Sequence, residues 1–468
     1  MSSDPFEPLY ALSPLDGRYR EDVEALRAYF SEFALMRYRL RVEVEYFIAL
    51  AAHPGVTFLR PLTDDEADFL RRQYRHFDGA AALRIKQIEA LTRHDVKAVE
   101  YFLRERLAGT SLDGLREGLH FGLTSEDVNN LAYALCLREG LREALLPALA
   151  AVQEKLAALA EDYAAWPMLA RTHGQPASPT TLGKELAVFA ARLADQRAAL
   201  NTLLAGLTGK LSGATGNFNA HHVACPQVDW IAFSRAFVSS LGLVPNLLTT
   251  QVEPGDRLAA VLDGLARLNT ILLDLCRDMW RYISDGYFVQ RAVESEVGSS
   301  TMPHKVNPIQ FENAEGNLEV ANALLTLLAR RLPVSRLQRD LSNSTVVRNL
   351  GVTLGHSLLA CHNVRRGLER VAADRARLLA DLDAHWEVLA EAIQTILRRE
   401  GLPDAYDRLK DFSRGGALGH QEIEALLRAL DVSPQVRDEL LRLTPQTYIG
   451  LAEALAGLHG VAQSGDGP

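Results

Sequence analysis

Residues 255–297 read GDRLAAVLDGLARLNTILLDLCRDMWRYISDGYFVQRAVESEV, and this stretch decides the fold class. It contains no proline, and its apolar residues recur at the spacing of one helix face. At a rise of 1.5 Å per residue, the stretch predicts one helix roughly 60 Å long, which is several times the ordinary length. A helix this long needs similar helices to pack against, so we expect an elongated bundle.

Other long helical patterns complete the bundle, and the rest of the chain reads as shorter helices. The long patterns cover residues 126–163 (with a kink expected at Pro147), 180–210, 309–331 and 347–379. The predicted class is all-α: an elongated central bundle flanked by two smaller helical domains. We expect an N-terminal helical domain at 1–114, the central long-helix bundle at 115–370, and a C-terminal helical domain at 371–468 with a disordered tail.

Composition excludes several classes of protein. The net charge of the 468 residues is -9, and no run of Lys or Arg suggests a nucleic-acid partner. Four widely separated cysteines fit a reducing cytoplasm, and neither a signal peptide nor a membrane span is predicted. The glycine-rich GLTGKLSGATGN at 206–217 lacks the spacing of an NTPase phosphate loop, and the histidines lack metal-ligand spacing. We therefore expect a cytoplasmic protein without a metal.

The loop GSSTMPHKVNP, residues 298–308, interrupts the helical patterns with two serines, a histidine and a lysine. Gly298 can end the preceding helix, while Asn307 and Pro308 suit the start of the next one. The serines then precede a helix N-terminus, which favours anions. The alternative is a mobile connector between helices.

Three more loops carry candidate groups, each with a purely structural alternative. In HFGLTSEDVNN (120–130), Thr124 and Asp127 have the spacing of a capping box, which is a sufficient explanation by itself. In RTHGQPASPTTLGKE (171–185), His173 lies on a loop before a helix that we expect to begin near Ser178; it is either a proton-transfer group or inert. In TRHDVKAVEYF, Asp95 either fixes the tautomer of His94 or caps a helix.

The spacing of these loops also predicts an oligomer. One long helix separates the loop at 124 from the loop at 173, so their distance within one chain is about 45 Å or more. The two loops cannot share a site in one subunit. If they cooperate, subunits have to pack with antiparallel bundles in a symmetric oligomer.

The loop 298–308 resembles the loop shared by the fumarase and aspartase superfamily, whose members eliminate fumarate from a succinyl group. Further motifs resemble the adenylosuccinate lyase family, in the bacterial subgroup with a Ser-Pro-x-Asp-Gly-Arg-Tyr element. These motifs are SPLDGRY, RHDVKAVEYFL, FGLTSEDVNN, RTHGQPASPTTLGKE, TTQVEPGD, LPVSRLQRDLSNSTVVRNLG and HWEVLAEAIQT, which occur in the expected order over about residues 12–450.

The resemblance implies a homotetramer whose active sites combine three subunits, and two cofactor-free reactions of purine synthesis. Adenylosuccinate gives AMP and fumarate, and the succinylated aminoimidazole carboxamide ribotide gives the free carboxamide and fumarate. A β-elimination of this kind requires a base for the C–H proton and an acid for the departing nitrogen. The resemblance assigns Ser299 as the base and His173 as the acid, although Ser299 could instead only hydrogen-bond the substrate.

The resemblance also implies the substrate-binding residues. Thr124, Ser125, Lys305 and Asn307 bind the carboxylates of the succinyl group, with Ser300 beside the base. Arg18, Tyr19, Arg339, Ser344 and Arg348 bind the nucleotide and chiefly its phosphate, for which the planar fork of arginine is suited. Gln251 and Asn313 contact the succinyl and base portions, and His94 with its neighbours Arg93 and Asp95 supports the leaving end.

The chain departs from the family pattern at one position, and two other functions are alternatives to the one that the resemblance implies. The family pattern has Asn where this chain has Arg93, which puts the local charge and hydrogen bonding in doubt. Another fumarate-releasing lyase, such as argininosuccinate lyase or a related cycloisomerase, fits SPLDGRY and the arginine-rich SRLQRDLSNSTVVRN less well. A non-catalytic helical scaffold would not need Ser299, His173, Lys305 and Thr124.

Overall fold

The computed structural model describes residues 7–291, 302, 305–403 and 419–460. Helices dominate these residues, and the predicted all-α class is confirmed. The helices are α1 (Glu24–Phe30), α2 (Glu32–Ala52), α3 (Asp64–Arg75), α4 (Gly79–Thr92), α5 (Asp95–Leu107), α6 (Ser125–Gly140), α7 (Leu146–Asp162), α8 (Leu182–Ala205), α9 (Asn219–Ala224), α10 (Trp230–Ser240), α11 (Asp256–Ser284), α12 (Ile309–Arg331), α13 (Ser342–Val347), α14 (Leu350–Arg370), α15 (Arg375–Asp383) and α16 (Ala390–Arg399), then His420–Ala429, Pro434–Leu441 and Ala452–Ala456.

Six short strands form three two-stranded sheets in the described part of the chain. Strands β1 (Pro167–Thr172) and β2 (Gln175–Thr181) pair antiparallel, β3 (Thr208–Gly209) and β4 (Val244–Pro245) pair parallel, and β5 (Phe288–Gln290) and β6 (Val371–Ala373) pair antiparallel. Each sheet connects segments at the ends of helices, so the strands add local cross-links to a helical fold.

By its internal contacts the chain divides into two compact units. The first unit consists of Met1–Ala148, Gln196–Thr270 and Gly316–Ala360, and the second of Leu149–Asp195, Ile271–Glu315 and Cys361–Pro468. The domain boundaries near residues 114 and 370 follow chain order instead and stay a prediction.

The helix predicted at 126–163 is present and contains one widened turn. A π-helical turn, Leu141–Leu145, connects α6 to α7, and the Leu146 N–H donates to the Leu141 carbonyl. Pro147 follows directly and has no N–H to donate. The local irregularity therefore lies beside Pro147, and the helix continues beyond it to Asp162.

Helix α11 ends at Ser284, so the predicted helix is wrong for residues 285–291, and residues 292–297 lie outside the described residues. Gly286 has φ +76°, its N–H donates to Ile283 at 3.1 Å, and the Tyr287 N–H donates to Tyr282 at 2.8 Å. This is a Schellman motif, which ends a helix where glycine adopts the left-handed conformation.

The pairing of β5 with β6 divides another predicted helix. The pattern at 347–379 is interrupted at Val371–Ala373, where β6 pairs with β5. Asp374 then caps α15 by accepting from the Arg377 N–H at 3.0 Å. By contrast, α12 has the predicted bounds, 309 and 331.

Helix α2 belongs to the core of the first unit, although we expected only shorter helices with charged faces in this region. It has 21 residues, and Leu40, Val44 and Phe47 have no exposed surface. Burying such side chains contributes about 2 kcal/mol each. The charged Glu43 is also fully buried and contacts His120 Nδ1 at 2.6 Å, so α2 buries a charged side chain as well as apolar ones.

Candidate active site

The first turn of α6 is held by one buried carboxylate. Asp127 has no exposed surface, and its Oδ2 accepts a hydrogen bond from the Thr124 N–H at 2.9 Å. This bond is the carboxylate half of the predicted capping box. Thr124 and Ser125 are partly exposed at the helix N-terminus. Free N–H groups and the helix dipole favour an anion there, so this turn can receive a carboxylate.

His94 begins α5, and the backbone sets its tautomer. Its Nδ1 accepts from the Lys97 N–H at 3.1 Å, so the neutral ring carries its proton on Nε2. Asp95 Oδ1 lies 3.9 Å from Nδ1, which is too far for a hydrogen bond. Of the two roles considered for Asp95, neither applies; His94 itself is the cap, and its Nε2–H is the donor left for a ligand.

Asp95 instead pairs with two arginines. Its Oδ2 accepts from Arg39 at 2.7 Å and from Arg348 at 3.0 Å. Burial alone raises the pKa of Asp95, but the Arg39 charge and the hydrogen bonds outweigh burial and lower the pKa to about 2. The Arg39 side chain is 5% exposed, whereas that of Arg348 is 52% exposed. Arg348 is therefore the member of the pair that can turn towards an anionic ligand.

Arg339 connects three polar side chains. It donates to Gln251 Oε1 at 2.8 Å and to Ser344 Oγ at 3.4 Å, and it lies 3.6 Å from Glu126 Oε2. Burial raises the pKa of Glu126 to about 7, although the charges of Arg339 and Lys210 act in the opposite direction. Glu126 thus changes its charge near neutral pH beside a predicted phosphate-binding arginine.

These groups line one cleft within the first unit. Three of the predicted nucleotide-binding residues, Arg339, Ser344 and Arg348, line it together. Its apolar wall includes Tyr133, Leu258 and Val347, so the cleft combines arginines for an anion with surface for a ring.

Arg93 ends α4 in the left-handed conformation, with φ +55°. Asparagine adopts this conformation more readily than other non-glycine residues. The backbone thus gives a reason for the Asn of the family pattern that needs no contact with substrate. The Arg93 side chain itself is exposed.

Arg18 and Tyr19 lie in the first unit beside one another. The Arg18 guanidinium is 5.8 Å from the centre of the Tyr19 ring, and that ring packs against Leu15, Val23 and Leu359. Neither residue is among the described residues that line the cleft. Arg18 is exposed and Tyr19 is partly buried, so the Arg18 side chain is the more accessible of the two to a ligand.

His173 lies in the second unit, at the tip of the β1–β2 hairpin. His173 (φ +54°) and Gly174 (φ +75°) are the two central residues of the turn, and two positive φ angles define a type I′ turn. This hairpin is also why α8 begins at Leu182 and not near Ser178 as predicted. The turn leaves the His173 side chain exposed to solvent.

A largely buried carboxylate holds this hairpin close to its turn. Arg171 donates to Asp381 Oδ2 at 2.7 Å, and the Tyr287 hydroxyl donates to the same oxygen. Burial raises the pKa of Tyr287, and the hydrogen bond to Asp381 raises it further, so the tyrosine stays a donor. Asp381 therefore connects strand β1, next to the turn, to Tyr287.

The loop of the predicted base is only partly within the described residues. Ser299 and Ser300 lie outside them. Lys305 is exposed, its N–H donates to the Met302 carbonyl at 3.0 Å, and Asn307 is partly buried just before α12. On α12, Asn313 Oδ1 accepts from Asn363 at 2.8 Å.

The sequence alone missed Arg39, Glu126 and Lys210. Arg39 lies in the middle of a buried helix, where no sequence pattern distinguishes a site residue from a packing residue. Glu126 follows two recognised cap residues and reads as an ordinary first-turn acid. Lys210 carried one signal, since it is the only lysine in the glycine-rich stretch 206–217.

In the described ranges, no three or more His, Cys, Asp and Glu residues come together in a way that could hold a metal ion. No helix in the part of the chain described here is long and apolar enough to cross a membrane.

Comparisons with known proteins agree with these observations. A family model described as lyase matches residues 17–321, and one described as adenylosuccinate lyase C-terminal matches residues 335–449. Adenylosuccinate lyase of Haemophilus influenzae is 48% identical over 96% of this chain and 98% of its own. That of Dictyostelium discoideum is 48% identical over 95% and 97%, and that of Escherichia coli K12 is 46% identical over 95% and 97%.

Solved structures show the same fold at lower identity. A fumarate lyase from Mesorhizobium sp. BNC1 has a TM-score of 0.75 at 20% identity, over 93% of this chain and 97% of its own. A 3-carboxy-cis,cis-muconate lactonizing enzyme from Pseudomonas putida has a TM-score of 0.75 at 23% identity, over 93% and 96%. The two family models and the sequence relationship to the curated relatives show that the chain belongs to the adenylosuccinate lyase family.

Proposed function

We propose that this chain is a carbon–nitrogen lyase that cleaves adenylosuccinate to AMP and fumarate. We include the second reaction of purine synthesis, in which the succinylated aminoimidazole carboxamide ribotide gives the free carboxamide and fumarate. Both substrates carry a ribose phosphate and a succinyl group on nitrogen, so one site with a phosphate grip and a carboxylate grip serves both. The proposal involves no metal and no cofactor.

One observation carries the substrate class. Arg339, Ser344 and Arg348 lie in and beside α13, and all three line one cleft of the first unit. Two arginines beside a serine suit a phosphate, because guanidinium donates two parallel hydrogen bonds to its oxygens. Gln251, bonded to Arg339 at 2.8 Å, extends the same polar surface.

The proposed reaction moves one proton at each end of the bond that breaks. Ser299 takes the proton from the carbon next to a carboxylate, the C–N bond breaks, and the bonding electrons leave with nitrogen. His173 gives its proton to that nitrogen. Removing the carbon proton places extra charge on the carboxylate, so donors that stabilise this charge contribute much of the rate. Lys305, Asn307 and Ser300 are the proposed donors.

The other groups bind the substrate. Thr124 and Ser125 hold a carboxylate at the start of α6, and Arg18 and Tyr19 complete the nucleotide grip. His94 donates through Nε2 to the leaving end, its neighbours Arg93 and Asp95 complete the substrate-binding residues there, and Asn313 contacts the base portion. These roles rest on the resemblance of the motifs, and the geometry of the described residues supports those of Thr124 and His94.

We further propose that the sites are shared between subunits of a homotetramer in the cytoplasm. A continuous helical segment, α6 to α7, runs from Ser125 to Asp162 between the two loops. At 1.5 Å per residue this segment is about 57 Å long. In the sequence, Thr124 and His173 flank opposite ends of this helical stretch, and this order supports a site to which different chains contribute the two residues. The bundle at 115–370 would form the tetramer core, between domains at 1–114 and 371–468.

The direct test is to incubate the purified protein with adenylosuccinate and follow AMP and fumarate. We expect release of the two products in equal amounts without added metal. Cleavage of argininosuccinate instead would contradict the substrate assignment. Turnover of neither substrate would favour the scaffold alternative.

Two variants test the assigned roles. Ser299→Ala and His173→Ala should each lower kcat on the order of 100-fold or more, while substrate binding is largely kept. Ser239→Ala and His222→Ala are matched controls, because both residues are exposed and outside the cleft. A near-normal kcat in Ser299→Ala would mean that another group is the base.

Mixing the two inactive variants tests the sharing of sites. If a site combines His173 from one chain with Ser299 from another, some mixed sites contain both groups and activity returns. Labelled subunits should show exchange by native mass spectrometry under the same conditions. Complete exchange without recovered activity would contradict shared sites.

A further inference from the structure

The glycine-rich stretch GLTGKLSGATGN, residues 206–217, has no role in the function proposed so far. Its lysine, Lys210, is fully buried, and so is Asp127 at the start of α6. Lys210 Nζ lies 2.8 Å from Asp127 Oδ1 and donates to the Gly213 carbonyl at 2.7 Å. A buried ion pair thus joins the stretch to the helix turn that carries Thr124 and Ser125.

Asp127 also binds backbone groups on both sides of this pair. Its Oδ1 accepts from the Ser212 N–H at 2.9 Å, and its Oδ2 accepts from the Thr124 N–H at 2.9 Å and the Gly213 N–H at 3.1 Å. One carboxylate therefore fixes the relative position of Thr124 and residues 212–213. A neutral amide cannot replace it, because its NH2 group would face at least one of these donors.

A second connection lies one helix turn away. Asn130 Oδ1 accepts from the Lys210 N–H at 2.8 Å, and Asn130 Nδ2 donates to the Lys210 carbonyl at 2.9 Å. Both backbone groups of Lys210 are thus bonded to α6. The stretch cannot shift along the helix without breaking these bonds as well as the ion pair.

The far end of the stretch leads to the nucleotide grip. The Ala214 carbonyl accepts from Gln251 Nε2 at 2.8 Å, and Gln251 Oε1 accepts from Arg339 at 2.8 Å. Gly213, which Asp127 and Lys210 hold, is the residue before Ala214. A continuous series of bonds therefore runs from Thr124 through Asp127, residues 213–214 and Gln251 to Arg339.

We propose that Asp127 and Lys210 are positioning residues, which set the distance between the carboxylate grip at Thr124–Ser125 and the phosphate grip at Arg339. The inference rests on the proposed function, because that function assigns the two grips. The substrate carries its succinyl group and its phosphate at opposite ends of one molecule, so an error in the distance between the two grips misplaces the reacting bond. A misplacement of 1 Å can lower the rate on the order of 100-fold.

The chemistry of the pair argues against simple packing. Burying two charges is costly, and an apolar pair of similar volume is often as stable or more stable. What an apolar pair cannot supply is the set of bonds to Thr124, Ser212 and Gly213, which need a full carboxylate. The Asp127–Lys210 pair is therefore better explained by the position it imposes than by the stability it adds.

The experiment separates position from stability with a double variant. Asp127→Asn or Lys210→Met alone leaves one buried charge unpaired, so each should lower Tm. The double variant Asp127→Asn/Lys210→Met has no unpaired buried charge, and its Tm should return towards that of the wild type. We expect its kcat/KM for adenylosuccinate to stay on the order of 100-fold below wild type, mostly in kcat.

Two further variants sharpen the test. Asp127→Glu keeps the charge and moves the carboxylate by one methylene group, so it should lower kcat even if the double variant fails to fold. Glu45→Gln/Arg71→Met removes another ion pair of the first unit, with an N–O distance of 2.9 Å, outside the cleft. That control should change kcat/KM less than about 3-fold.

Hydrogen exchange supplies a readout that needs no substrate. We expect the Thr124, Ser212 and Gly213 amides to exchange on the order of ten times faster in the double variant at matched Tm. Wild-type kcat in Asp127→Glu, or a double variant with restored Tm and restored kcat/KM, would overturn the proposal, and so would unchanged exchange at these amides. If the wild type fails to cleave adenylosuccinate, the proposed function is refuted, and the exchange comparison still decides whether the pair holds the two segments.

Discussion

Replacing Glu126 with glutamine should make this protein more stable, and the gain should grow with pH. Glu126 lines the cleft, with its side chain 18% exposed and 3.6 Å from Arg339. Burial raises its pKa from 4.5 to about 7, against the lowering charges of Arg339 and Lys210 and with the help of Asp127. The folded protein therefore holds a proton on Glu126 at pH values where the unfolded chain has released it.

The sign and size of the effect follow from this pKa. Between pH 4.5 and 7 the folded state binds more protons than the unfolded state, so its free energy of unfolding falls as pH rises. Each pKa unit corresponds to about 1.4 kcal/mol, so the full penalty above pH 7 is about 3 kcal/mol. Glutamine has almost the same shape and cannot ionise. Glu126→Gln should thus match the wild type near pH 4 and exceed it by about 3 kcal/mol at pH 8.

Urea denaturation at pH 5 and pH 8, at one protein concentration, measures this difference. Glu45→Gln is the control, because hydrogen bonds from Arg71 and Tyr74 outweigh burial and lower the pKa of Glu45. The control should therefore be less stable than wild type at both pH values. A difference between Glu126→Gln and wild type that is the same at pH 5 and pH 8 would refute the reasoning.

Three more substitutions have defined outcomes. Arg93→Gly should raise the free energy of unfolding by about 1 kcal/mol in urea denaturation, because φ is +55° at this position; a loss of stability would contradict the left-handed conformation. Asp95→Asn should cost about 2 kcal/mol at pH 7, since the wild-type pKa is about 2 in the folded state, and the difference should disappear as pH falls from 4 to 2; a pH-independent loss would contradict this. Gly216→Ala should lower stability by about 3 kcal/mol, because its φ is +84° and a Cβ would lie 2.2 Å from the Thr249 carbonyl oxygen; Gly206→Ala, with a nearest contact of 3.5 Å, is the control that thermal unfolding should barely distinguish from wild type.

The long helices were predictable because their signal is local and repeated. The apolar pattern of residues 309–331 alone gave the bounds of α12. The end of α11 at Ser284 could have been recognised from the Asp285-Gly286 pair that follows, because glycine suits the left-handed position of a Schellman motif. The strands could not be predicted in this way. Phe288–Gln290 is extended only because it pairs with Val371–Ala373, about 80 residues later in the chain.

The prediction for the segment around His173 was wrong for a different reason. A type I′ turn is usually recognised from Asn-Gly or Asp-Gly, and here the pair is His-Gly. Serine and proline in the following strand, at Ser178 and Pro179, predicted the start of a helix. In the structure Thr180 and Thr181 are buried and pair with Met168 and Pro167 of β1, and burial and pairing of this kind are set by the tertiary structure.

Asp127 shows how far a local pattern can take the prediction of a site. Its position three residues after Thr124 was sufficient to predict a helix cap, and the bond between them is present. The same carboxylate also pairs with Lys210 and binds two N–H groups more than 80 residues away in sequence. Nothing in the motif HFGLTSEDVNN indicates these partners, and nothing around Lys210 indicates a carboxylate. A sequence pattern identifies the part of a residue's role that lies within one helix turn, whereas a buried charge needs partners that only the folded chain supplies. For this reason the charged residues that read as ordinary caps or loop lysines are the ones to examine first once a structure is known.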